Sequence, residues 1–92
     1  MIGSFKHKGL RQLFEDDNVR GVNPEHVVKI RAILTTLHAA HQIEGMNQPM
    51  FRLHQLTGDL KGLWSVTVRA NWRIVFRFDE GWAFDVDLVD YH

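Results

Sequence analysis

The apolar spacing of this chain changes period once, near residue 51, and that change bounds what it can fold into. Before it, Val27, Ile30, Ile33, Leu34, Leu37 and Ala40 recur at helical spacing. Asn23-Pro24-Glu25 supplies a capping side chain, a ring suited to the first helical position and a favourable first-turn charge, so a helix is expected over about 24–42. Leu10, Leu13 and Phe14 mark one face of a shorter helix, whose first turn Gly9 weakens. Residues 16–21 read as a loop, and 1–5 as a short edge strand. From Phe51 the period is two: Phe51-Arg52-Leu53-His54 alternates, and so do 63–69, 72–78 and 82–88. Helical segments followed by strands with short connections specify an α+β fold: two N-terminal helices on one face of a small, mainly antiparallel twisted sheet. A chain of 92 residues builds one core, so 1–92 is one domain. Three Trp, one Tyr and six Phe argue against disorder.

Strand parity assigns the faces. A two-residue loop at Glu80-Gly81 would set Phe76 against Asp85, mixing apolar and charged sides. A three-residue loop instead pairs Phe76 with Phe84, Ile74 with Val86 and Trp72 with Leu88, with Gly81 taking a positive φ. The same reasoning pairs Trp64 with Phe76, Val66 with Ile74 and Val68 with Trp72. One face is then wholly apolar, tryptophans included. The other carries Ser65, Thr67 and Arg69, then Arg73, Val75 and Arg77, then Ala83, Asp85 and Asp87.

Charge and composition exclude several functions. Lys plus Arg is 11 and Asp plus Glu is 11, so any contact with nucleic acid must rest on a local patch. The absence of cysteine removes disulfides, thiolate chemistry and Cys-based zinc sites, and suits a reducing compartment. No apolar run is long enough for a membrane span and residues 1–9 have no signal-peptide core, so a cytoplasmic protein is expected. His38 and His41 share a helix face, but no carboxylate stands at metal-ligand spacing, and no metal or other cofactor is expected. Glycine-rich phosphate loops and serine elbows are also missing.

Three features carry chemistry. In the expected register Arg73 faces Asp87, and Arg77 lies diagonal to Asp85. That reads either as solvated cross-strand ion pairs or as a phosphate site with Arg73 as its clamp. Asp90-Tyr91-His92 follows the last strand without a linker; it is either a frayed end or a set of proton-transferring groups held by the sheet. His54 ends an alternating run two residues after Arg52.

The strings IGSFKHKGLRQLFE, FRLHQLTGDLKGLWSVTVRANWRIVFRF and DVDLVDYH strongly resemble the HigB toxins, also called plasmid maintenance system killer proteins, of the RelE-like superfamily. The combination of RLH-x-L-x-G-D, an NWRI strand and a terminal DYH is more specific than any single piece. The resemblance implies a ribosome-dependent mRNA interferase. Its implied partners are the ribosome and mRNA and a HigA-like helix-turn-helix antitoxin, with DNA reached only through the antitoxin complex and no membrane contact. Matching positions imply His54, Arg73, Asp90, Tyr91 and His92 as catalytic residues. Arg52, Lys61, Arg69 and Arg77 fall near them in the expected register as RNA-binding cations. One position departs: Thr57 stands where many members carry a basic residue, so Lys61 or Arg52 replaces that cation or it is missing. Two other readings are a weak or inactive RelE-like protein that only binds its antitoxin, and an interaction domain that recruits an acidic partner.

Overall fold

A computed structural model describes residues 1–91; the candidate His92 lies outside the described residues. Helix α1 spans Lys8–Asp16. A 3-10 turn at Pro24–His26 leads into helix α2, Val27–Ala39. Strands β1 (His54–Gln55), β2 (Trp64–Arg69), β3 (Trp72–Asp79) and β4 (Trp82–Asp90) follow. They form a single antiparallel sheet in the order β1-β2-β3-β4. The expected α+β arrangement is the one observed. Leu10 and Leu13 of α1 and Ile30, Ile33, Leu34 and Leu37 of α2 are buried in one cluster with Val66, Val68, Ile74, Phe76 and Val86 of the sheet.

Local signals explain the helix starts. Asn23 Oδ1 accepts from the Glu25 N–H (2.9 Å), and Pro24 opens the turn. The expected single helix over 24–42 is thus a 3-10 turn plus an α-helix, ending where Ala40 turns extended (φ −72°, ψ 126°). His7 Nδ1 caps α1 by accepting from the Leu10 N–H (3.1 Å). Gly9 does more than weaken a turn. A Cβ built there would stand 2.3 Å from the Gly21 carbonyl oxygen, so its missing side chain lets the 16–21 loop close onto α1.

The expected register fails at both hairpins, for one physical reason: each turn is a residue shorter and a bulge restores the alternation. Arg69 pairs with Trp72 and Asp79 with Trp82, leaving the two-residue turns Ala70-Asn71 and Glu80-Gly81. Ala70, Glu80 and Gly81 all take positive φ (51°, 47° and 84°), the left-handed geometry that suits such tight turns. Trp64–Phe76 and Val66–Ile74 pair as expected, but the register shifts between Thr67 and Arg69. In β4 the shift lies between the partners of Val75 and Arg77. Asp85 (φ 55°) takes up the extra residue there.

The bulge in β4 redistributes its side chains. Beyond it Ile74 faces Leu88, Val75 faces Asp87 and Arg73 faces Val89. Before it Arg77 faces Phe84 and Phe78 faces Ala83. Ala83 is therefore fully buried, while Trp82 (43% exposed) and Phe84 move to the face expected to be polar. Their rings stack at 6.5 Å, with the Arg77 guanidinium 4.6 Å from the Phe84 ring centre. Trp72, also expected in the core, is 37% exposed beside His26. The N-terminal segment is less than a full edge strand: Ile2 and Phe5 make single parallel bridges to Ala83 and Val86.

Candidate active site

The second face of the sheet is not uniformly open. Ser65 and Val75, adjacent at its centre, are both buried. Space remains toward the Ala70-Asn71 turn, where β1, the 56–63 loop and the end of β4 meet. There a depression of about 280 Å³ is lined by His54, Gln55, Thr57, Ser65, Arg73 and Tyr91, together with the buried Leu56.

Each lining residue is placed by backbone pairing. His54 lies opposite Ser65 at the start of β2. Leu56 donates its N–H to the Leu63 carbonyl (2.8 Å), closing the loop that carries Thr57. Gly58 and Gly62 turn that loop with φ of 66° and 95°. Arg73 sits between Thr67 and Val89 on the central strand β3. Its guanidinium Nη1 donates to the carbonyls of Ala70 and Trp72, which braces the turn and fixes the charge at the rim. The Tyr91 N–H donates to the Asn71 carbonyl (2.7 Å), so the main chain is held past the end of β4. Asp90, opposite Trp72, immediately precedes it.

Three of the five candidate catalytic residues, His54, Arg73 and Tyr91, thus share one depression, and Asp90 directly precedes Tyr91 in the chain, opposite Trp72. The candidate cations divide. Arg52 lines a neighbouring depression that Arg73 also lines. Lys61 is exposed on the 56–63 loop and is not among the residues lining either depression. Arg77 lies one turn of pleat beyond the buried Val75, over Phe84. Arg69, carried off this face by the bulge, pairs with Glu25 beside α2 (3.3 Å). The expected Arg73–Asp87 pairing does not form, because the register sets Val89 across from Arg73. Among the described residues no three His, Asp or Glu converge as a metal site would require. Thr57 lies on the wall itself, so the departure noted in the sequence changes the lining of the depression. Gln55 and Lys29, which line the two depressions, carried no sequence signal: one ends a two-residue strand and the other is an ordinary helical lysine.

The profile of a family described as the RelE-like toxin of type II toxin-antitoxin system HigB matches residues 3–92. The chain belongs to the HigB-like toxin family. Among curated proteins, Endoribonuclease HigB of Proteus vulgaris is 47% identical over 92 residues, covering 100% of both chains. Among solved structures, a YoeB-YefM complex from Staphylococcus aureus contains a chain with a TM-score of 0.60 at 19% identity, over 100% of this chain and 95% of that one. A heterotetrameric YoeB-YefM toxin-antitoxin complex from the same organism gives 0.64 at 18%, with the same coverage. These two share the fold of this chain. No helix of the described residues is long and apolar enough to cross a membrane.

Proposed function

We propose that this HigB-like toxin is an endoribonuclease that cuts mRNA on the translating ribosome in the cytoplasm, arrests growth, and is held inactive by a HigA-like helix-turn-helix antitoxin. The observation that carries this reading is the convergence of His54, Arg73 and Tyr91 on one depression. The full-length likeness to an endoribonuclease supports it.

RNA brings its own nucleophile, so these residue types suffice without a metal. The 2′-oxygen attacks the adjacent phosphorus, the bond to the 5′-oxygen breaks, and the products are a 2′,3′-cyclic phosphate and a 5′-hydroxyl. One group must take the 2′-OH proton and another must give a proton to the departing 5′-oxygen. His54 and His92 are the pair suited to that exchange, with Asp90 and Tyr91 to orient them or share a proton. Arg73, fixed on the central strand, stabilises the charge that builds on the phosphorane; loss of one such donor typically costs roughly 2.7–4 kcal/mol of transition-state stabilisation.

The test is primer extension on cellular mRNA after brief induction, repeated on programmed ribosomes. Discrete cuts within translated frames are expected, surviving EDTA when polyamines hold the ribosome together. A chain lacking Tyr91 and His92 should make none. A second reading, an inactive protein that only binds its antitoxin, is favoured by Thr57 standing on the wall where many relatives carry a cation. It predicts a complex with the neighbouring gene's product and no cuts at all.

A further inference from the structure

A second depression, about 510 Å³, adjoins the one just described and shares Arg73 with it. Its other polar walls are Lys29 from α2, Arg52 and Thr67, and no carboxylate lines it. In a chain with zero formal charge, three cations around one concavity need an explanation. Three of the five arginines elsewhere have a carboxylate partner: Arg11 with Glu15, Arg31 with Asp17, Arg69 with Glu25. Here the described partners are neutral. Lys29 Nζ donates to the Met50 carbonyl (2.9 Å) and Arg73 to the carbonyls of Ala70 and Trp72. Such bonds position a charge without cancelling it.

Backbone geometry points the same way. Arg52 is held at φ 51°, a left-handed conformation that costs a non-glycine residue of order 1 kcal/mol and persists only where neighbours enforce it. The neighbour is Phe51, buried and bonded through its carbonyl to the Thr67 N–H (2.7 Å). The strained residue presents an exposed guanidinium to the depression instead of continuing β1.

We infer that Lys29, Arg52 and Thr67 seat a second backbone phosphate of the RNA, next along the strand from the phosphate that reacts at Arg73. Arg73 stands between the two seats and touches both. This inference rests on the endoribonuclease reading and adds Lys29 and Thr67 to the substrate contacts. Lys29 and Arg52 act on binding and alignment of the strand, not on proton transfer.

The experiment uses programmed ribosomes whose message carries a single neutral methylphosphonate in place of the phosphate on either side of the cut. Single-turnover cleavage is compared for the full chain and for a Lys29→Gln, Arg52→Gln variant. Glutamine keeps a donor for the Met50 carbonyl while removing charge. One neutral linkage should slow the unaltered protein roughly tenfold, the loss of a charged hydrogen bond. The variant should be slowed to a similar extent on ordinary message and lose nothing further at that linkage, while Lys29→Arg with Arg52 intact cuts at the unaltered rate. Variant losses that multiply with those of the neutral linkage, or a variant that cuts at full rate, would overturn the second seat and leave the endoribonuclease reading standing. No cleavage of ordinary message by the unaltered protein would overturn both. A matching melting temperature for the variant confirms that a slow rate is not a folding loss.

Discussion

At the residue scale, Arg73 and Asp85 decide most. Arg73 is half-buried and donates from Nη1 to the carbonyls of Ala70 and Trp72. Arg73→Ala should therefore abolish growth arrest while keeping a cooperative melting transition, lowered by roughly 8–16 °C, since the two lost bonds are accessible and worth about 1 kcal/mol each. Arg77→Ala, which removes a cation stacked on Phe84 away from the depression, should leave most of the toxicity. If thermal melting of Arg73→Ala collapsed instead, its role would be structural. Asp85 makes a sharper stability prediction. Its φ of 55° is tolerated by Asp and Asn but costs a β-branched residue more. Asp85→Asn should fold normally, whereas Asp85→Val should lose roughly 1–2 kcal/mol, read by chemical denaturation. The same residue shows where sequence reading stops. Pure alternation put Trp82 and Phe84 inside, and a single aspartate in a left-handed conformation turned them out. Only aspartate's modest tolerance of that conformation hinted at the bulge, and alternation across 82–88 argued against it.

At the element scale, legibility follows the strength of the physical constraint. The α2 stripe, the Asn23 cap and the inward set Val66, Ile74, Phe76 and Val86 were readable because burial of one face leaves little choice. Turn lengths were not, because a two-residue turn plus a bulge and a three-residue turn without one satisfy nearly the same pattern. The site survived this error. Arg73, Thr67 and Ser65 keep their face in either register, since the β2–β3 pairing from Trp64 to Arg73 is unshifted. Arg69 lay beyond the shift and was lost to the helical side. Helix α1 offers its own test. Alanine normally favours a helix over glycine by about 1 kcal/mol. At Gly9 the opposite is expected, because the approaching atom is a main-chain oxygen that cannot rotate away. Gly9→Ala should destabilise by about 1–3 kcal/mol, the usual cost of overpacking. An unchanged or raised melting temperature would show that the 16–21 loop moves freely.

At the scale of the whole molecule, the sheet has two edges of very different kind. One ends in β1, only two residues long. The other, β4, is nine residues long and is covered by the N-terminal segment through Ile2, Phe5 and the Ser4 hydroxyl, which accepts from the Asp85 N–H (2.8 Å). Removing residues 1–5 should leave β4 with unpaired backbone groups and promote self-association, visible by size-exclusion chromatography with light scattering. A monodisperse truncated protein would refute this. The covering contact joins residues 81 apart in sequence, so closing that loop costs roughly 4 kcal/mol of chain entropy in addition to a length-independent part. That cost is offset most readily once β4 is already paired with β3. The expected order of folding follows: the helices and the three-strand meander assemble from near neighbours, and residues 1–5 lock afterwards. Until they do, a newly made molecule has a β4 edge open to other copies, and the time spent in that state depends on how fast a five-residue segment finds its seat.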